Sequence, residues 1–173
     1  MSGDGGERLR LDPSAATGGA AERLFRALRR RLAAILPADA VIEHVGATAV
    51  GGCLTKGDLD ICVRVSEETF AEADRALGAL YERSLDSVRT ADFFAFKHDG
   101  LRPPVGIQLV ARGAPLDVFV RFRDCLRADP VLVEHYNALK RSYDGAAMSD
   151  YRAAKSAFIE QVLGAAGKAT ATQ

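Results

Sequence analysis

The sequence predicts one α/β domain, with a small sheet early in the chain and a helical C-terminal third. Three observations carry that expectation. Apolar side chains recur at helical spacing between residues 24 and 36. Short apolar or alternating runs, separated by turn residues, follow up to Ala111. Beyond Asp129 the spacing is helical again, through Val162.

Taken in order, "AAERLFRALRRRLAAIL" places Leu24, Leu28, Leu32 and Ile35 on one helix face, and Pro37 ends it. "AVIEHV" reads as a short strand, and "DLDICVRV" as a second with Leu59, Ile61 and Val63 facing one way. Ser66 is expected to cap a helix whose first turn carries Glu67 and Glu68. "DFFAFKHD" and "VGIQLVA" give two more strands around the turn "GLRPP". "APLDVFVRFRDCLRADP" fits either class, and Pro115 in first-turn position favours a helix. Asp129-Pro130 opens the next helix, and Ser149 is expected to cap the last, "DYRAAKSAFIEQVL". The polar, small-residue ends cannot offset their ordering entropy. Residues 1–18 and 165–173 are therefore expected to be disordered tails around a single domain at 19–164.

Length and composition narrow the class. A chain of 173 residues can bury a sizeable core, and 48% hydrophobic with 27% charged residues suits a globular domain rather than a disordered chain. Lys+Arg and Asp+Glu both number 23, so the net charge is zero and a nucleic-acid partner is not expected. No apolar run nears the ~18 residues of a membrane span, and the first twenty residues hold no apolar signal core, so the expected location is the cytoplasm. Cys53, Cys62 and Cys125 are too few and too scattered for a disulfide framework, and the histidines lack zinc-ligand spacing.

The chemistry concentrates in "GATAVGGCLTKGDLDICV", Gly46 to Val63. It is not a P-loop, because Gly52-Cys53 stands where Lys-Ser or Lys-Thr is needed. It is not a dinucleotide fingerprint, because a strand rather than a helix follows. On a strand, Asp58 and Asp60 project to one face, about 6–7 Å apart. At that separation and an effective dielectric near 20 they repel by roughly 2–3 kcal/mol. A divalent cation turns this repulsion into attraction, and Mg²⁺ prefers carboxylate oxygens plus substrate phosphates. The plainer alternative is that Asp58 ends a turn and Asp60 is a solvated strand residue.

A small-residue loop followed by Asp-apolar-Asp-apolar resembles the signature of the nucleotidyltransferase superfamily. That resemblance implies a metal-holding acidic pair and attack by an acceptor hydroxyl on the α-phosphorus of a nucleoside triphosphate. More closely, "IEHVGATAVGGCLTKGDLDICV", "FRDCLRADPVLVEHYNALK" and "YRAAKSAFIEQVL" together resemble the GrpB family over roughly residues 41–163. The implied fold is a nucleotidyltransferase-like small mixed β-sheet flanked by helices. The implied site has Asp58 and Asp60 as catalytic and Mg²⁺-holding residues. Gly46, Ala47 and Thr48 would cradle phosphate, with Lys56, Arg123, Lys140 and Lys155 as further nucleotide contacts. The partners implied are a nucleoside triphosphate and a small hydroxylated acceptor.

The sequence departs from the family pattern. Ala47 replaces a serine and Gly51 a proline, while Asp58 stands where an apolar residue is common. Gln108 occupies the position of a third acidic residue, where relatives tend to have histidine, and a glutamine cannot take a proton. Glu43 and His44, just before the loop, are the remaining candidates for a base, His44 being expected rather to orient its neighbours. The Tyr136/Lys140 and Tyr151/Lys155 pairs can each share a helix face, either lining a cleft or simply packing. The same residues also suit a module that binds a nucleotide or phosphorylated metabolite without chemistry, or an accessory domain to a coenzyme A-pathway kinase.

Overall fold

The computed structural model describes residues 7–11 and 19–170. Among the described residues eleven elements follow one another, one of them the short 3₁₀ turn Ala47–Ala49. Helix α1 spans Gly19–Ile35, β1 Val41–Val45, β2 Leu59–Val65, α2 Phe70–Gly78, β3 Glu82–Arg83, β4 Phe93–His98 and β5 Val105–Ala111. Helices α3 (Phe119–Ala128), α4 (Pro130–Ser142) and α5 (Met148–Thr170) complete the chain.

The strands form one mixed sheet in the order β1-β2-β5-β4-β3. Only β2 and β5 run parallel; the other neighbours are antiparallel. This central pair is covered on both faces, so β2 reads as a nearly continuous apolar run broken by Asp60 and Arg64. On one face Leu59, Ile61, Val63, Ile107 and Leu109 pack against Phe25, Leu28 and Leu32 of α1 and Phe70 and Leu77 of α2. Opposite, Val45, Cys62, Phe93 and Val110 lie under Leu116, Phe119 and Val120 at the start of the helical third. Phe122, Leu126, Val133, Tyr136 and Val162 join α3, α4 and α5 in a further cluster that reaches Val50 and Cys53 of the glycine loop. The helical third thus sits against the loop that precedes β2.

Several element boundaries differ from the sequence expectation, each for a local reason. Asp39 accepts hydrogen bonds from Ser66 N (2.7 Å) and Thr69 Oγ1 (2.9 Å), which holds residues 66–69 as a turn and delays α2 to Phe70. Residues after Pro115 also form turns, and α3 begins at Phe119, because Asp117 is drawn onto Arg64 through a bidentate pair at 2.6 and 2.7 Å. α4 starts as expected: the Asp129 carboxylate accepts from Val131 N and Leu132 N, with Pro130 in the first turn.

Both expected tails are partly structured. Residues 7–11, assigned to the N-terminal tail, run antiparallel to the 145–148 segment, and Leu9 is 2% exposed against Met148 and Tyr151. Two leucines in an otherwise polar stretch suffice because the turn before α5 offers backbone partners: Leu9 N donates to Ala146 O and Gly145 N to Leu9 O. At the other end α5 continues to Thr170 rather than stopping at residue 164. The remaining tail residues, 1–6, 12–18 and 171–173, lie outside the described part.

Candidate functional site

Asp60 sits at the head of β2, where neighbouring backbone closes on its carboxyl group. Its register partners are Val45 on β1 and Gly106 on β5. Gly46, the residue after β1, has φ +73°, and a Cβ there would stand 2.3 Å from Asp60 Oδ2. A Cβ on Gly106 would stand 3.1 Å from Oδ1. Two backbones therefore close on one carboxyl group, an approach that only glycine permits at position 46. Asp60 keeps some exposed surface as a residue, yet its carboxyl lies deep, and this burial raises its pKa above the usual carboxylate range. The positive charge of Lys155 opposes the rise, and the neighbouring Asp58 charge adds to it.

Asp58 lies one residue before β2 rather than within it. Its carboxylate is held by Lys56 Nζ at 3.1 Å. Beneath it, Thr48 Oγ1 donates to Asp58 O at 3.0 Å and meets His44 Nε2 at 3.0 Å. His44 Nδ1 in turn reaches Glu22 Oε2 at 3.0 Å, a contact that holds the Glu22 carboxyl below its usual range. His44 is 5% exposed and stacks on Phe25, so it orients the loop from behind.

These residues border a pocket of about 190 Å³. Ala47, Asp58 and Asp60 form its floor, Lys56, Lys140, Arg152 and Lys155 its cationic side, and Leu9, Leu11, Tyr136, Met148 and Tyr151 an apolar wall. The Tyr136 and Tyr151 hydroxyls face each other at 3.3 Å, and burial pushes both phenols well up. Two lysine–tyrosine pairs on α4 and α5 thus meet at one cavity although they are fifteen residues apart. The oxygens available to a cation are those of Asp58 and Asp60. Among the described residues no group of three or more His, Cys, Asp or Glu is placed to hold a metal.

Most of the residues singled out in the sequence converge here, with three differences of role. Arg123 does not line the pocket. It is a buried residue of α3, and its guanidinium donates to Glu43 Oε2, His44 O and Asp124 Oδ1, each at 2.8 Å. Glu43 is thereby occupied as an ion-pair partner. Lys140 reaches the pocket but is 3% exposed, donating to Leu54 O and to Cys53 Sγ at 3.2 Å and lying 4.1 Å from the Tyr136 ring. Burial lowers its pKa, and it fastens the glycine loop to α4. Thr48 spends its one proton on Asp58 O. Gln108 Nε2 stands 3.5 Å from Asp60 Oδ1, while Gln108 Oε1 is buried with no hydrogen-bond partner. Leu9, Leu11 and Arg152 were missed by sequence reasoning: the first two lay in the supposed tail, and Arg152 carries no local signal.

A mixed five-stranded sheet with a helical C-terminal third, and two carboxylates set beside a glycine loop at the head of β2, define the class: an α/β protein with a charged pocket at the end of its sheet. The GrpB family model, described as GrpB protein, matches residues 20–165, and the chain belongs to that family. A UPF0157 protein of Vibrio cholerae is 41% identical over 146 residues, covering 84% of this chain and 77% of that one. A UPF0157 protein of Streptomyces coelicolor is 35% identical over 150 residues, covering 82% and 76%. Among solved structures, the conserved protein GrpB from Enterococcus faecalis shares the fold, with a TM-score of 0.68 at 21% identity over 87% of this chain and 94% of that one. No helix among the described residues is long and apolar enough to cross a membrane.

Proposed function

We propose that the chain binds a nucleoside triphosphate with Mg²⁺ and transfers its nucleotidyl group to a small hydroxylated acceptor. The observation that carries this reading is the placement of Asp60: a carboxyl buried between Gly46 and Gly106, next to a second carboxylate, at the floor of a cation-lined pocket. Burying a carboxyl beside a like charge costs stability unless a ligand compensates it. The donor set fits a hard divalent cation that completes its shell with water and phosphate oxygens, as Mg²⁺ does.

When bound, Mg²⁺ would neutralise charge on the phosphates and align the attacking and leaving oxygens. The chain's own residues do the rest. Asp58 and Asp60 hold the ion, and Gly46 leaves room for the Asp60 carboxyl. Lys56 and Lys155 offset phosphate charge, while the Glu22–His44–Thr48 chain fixes the loop under Asp58. Gln108, behind Asp60, cannot take a proton from the acceptor hydroxyl. In the transfer the acceptor oxygen would bond to the α-phosphorus, the bond from phosphorus to the pyrophosphate oxygen would break, and the hydroxyl proton would pass to solvent water.

Calorimetric titration of ATP, GTP, CTP and UTP, with and without Mg²⁺, tests the reading. Magnesium-dependent binding in the wild type, lost in an Asp58→Asn, Asp60→Asn double variant that remains folded, supports it. Absence of binding by all four nucleotides overturns it. Gln108 favours one second reading: with a carboxamide where a third carboxylate would stand, the same pocket would hold a nucleotide or phosphometabolite without turnover. Binding without product from any acceptor separates the two.

A further inference from the structure

Among the pocket's cations, Lys56 and Arg152 share an unusual partner. Glu7 places Oε1 3.7 Å from Lys56 Nζ and Oε2 3.1 Å from Arg152 Nη2. One carboxylate from the N-terminal segment therefore bridges two cations that come from the glycine loop and from α5. The bridge is exposed: the side chains of Glu7, Arg152 and Lys56 are 57%, 48% and 37% accessible. Exposed pairs of this kind are individually weak and exchange readily for a better anion. A phosphate group carries more charge than a carboxylate and suits a guanidinium fork equally well.

The backbone of the same segment shapes the cavity. Leu9 and Leu11 form part of its wall, and the strand-like contact with residues 145–148 holds them there. With this segment in place the volume is about 190 Å³, below the range of about 300–1,000 Å³ typical of sites for drug-sized ligands. A nucleoside triphosphate is larger than this volume, and the 7–11 segment is one of the walls it would meet. Apart from its side-chain bridge, the segment is held by a short set of bonds: Leu9 N to Ala146 O, Gly145 N to Leu9 O, Met148 N to Glu7 O, Leu11 N to Asp144 Oδ1, and Arg8 Nη1 to Gly145 O.

We infer that Lys56 and Arg152 form a polyphosphate subsite that Glu7 occupies in the free protein, and that a ligand phosphate displaces Glu7 and lifts the 7–11 segment off the cavity. The inference deepens the nucleotide reading and rests on it for the ligand's class. Neither Arg152 nor Glu7 belongs to the acidic pair or the glycine loop, so the subsite can be tested separately from them.

Inorganic tripolyphosphate is the probe, titrated calorimetrically into full-length wild type, Glu7→Gln and Arg152→Gln. Amide hydrogen exchange at Leu9, Gly145 and Met148 is read alongside. Glu7→Gln removes the competing carboxylate and should tighten binding by about threefold to tenfold, while Arg152→Gln should weaken it by a similar factor. The three amides should lose protection when tripolyphosphate binds to the wild type. No binding to wild type or Glu7→Gln overturns the inference, as does equal or weaker binding by Glu7→Gln, or unchanged exchange at saturation. If tripolyphosphate behaves as expected but no Mg²⁺-nucleotide responds to the Asp58→Asn, Asp60→Asn change, the subsite stands and the nucleotidyl reading falls. If Mg²⁺-nucleotide binds through the two aspartates and Glu7→Gln changes nothing, the reverse holds.

Discussion

Replacing Asp60 by asparagine should make the free protein more stable and the ligand response disappear. Burial raises the Asp60 pKa above its ordinary 3.8, so the native state holds that proton more firmly than the unfolded chain. Its contribution is present in full at low pH and is lost as pH rises through the raised value. At neutral pH the wild type therefore carries the penalty of a buried charge, which asparagine lacks. A buried polar group without full compensation costs about 1–3 kcal/mol, and more when charged. For a chain of this length, ~2–4 °C per kcal/mol puts the gain in melting temperature at about 3–10 °C at pH 7. The gain should shrink as the pH is lowered toward 4. Adding Mg²⁺-nucleotide at about ten times its Kd should stabilise the wild type by ~1.4 kcal/mol and the variant hardly at all. Thermal unfolding of both proteins, at two pH values and with and without ligand, gives all four comparisons. An Asp60→Asn protein that melts below wild type at pH 7 without ligand would refute the desolvation argument. One that retains the nucleotide response would refute the placement of the site.

Three further outcomes follow from other contacts. Gly46→Ala puts a methyl group 2.3 Å from Asp60 Oδ2 at φ +73°, so it should cost at least about 1–2 kcal/mol in backbone strain and abolish metal-dependent binding; urea unfolding and calorimetry read the two effects. Arg123→Ala leaves Glu43 and His44 O without their donor and should lower stability by about 1–3 kcal/mol, discounted because Glu43 is partly exposed, with nucleotide affinity of the folded variant unchanged. Lys140→Ala should destabilise by about 2–4 kcal/mol through the lost bond to Leu54 O and the void beside Tyr136, seen as a lower urea midpoint. Because burial lowers the Lys140 pKa, the wild type should gain stability from this residue as pH rises toward the ordinary lysine value of 10.5 and lose it as pH falls, and the variant should not.

The acidic pair and the loop before it were legible because their signal is local. Two aspartates separated by a leucine, after a glycine run, keep both carboxylates at the start of one strand and so at one pocket, although Asp58 falls just outside β2. Strands β4 and β5 were likewise visible, since alternation and apolar runs depend on immediate neighbours. What escaped notice depends on contacts distant in sequence. Arg123 looked like a phosphate ligand in "FRD", yet its partner is Glu43, eighty residues earlier. Lys140 shared a helix face with Tyr136 as expected, but no pattern announced that Leu54 O would consume its charge. Leu9 and Leu11 are unremarkable in a polar tail until residues 144–146 supply their hydrogen bonds. Strand β3 has two residues, too few for any period to appear.

The parallel pairing of β2 with β5 bears on how an unknown ligand could be found. Asp60 lies on β2, an interior strand, with antiparallel β1 on one side and parallel β5 on the other. A residue paired on both sides belongs to the part of a fold that opens late, so the Asp60 side of the pocket is tied to the core. Any compound that binds there is linked to cooperative unfolding of the whole domain rather than to fraying of a loop. A thermal-shift screen of metabolites would then report occupancy of this floor with full amplitude, and an acceptor could be recognised before its reaction is known.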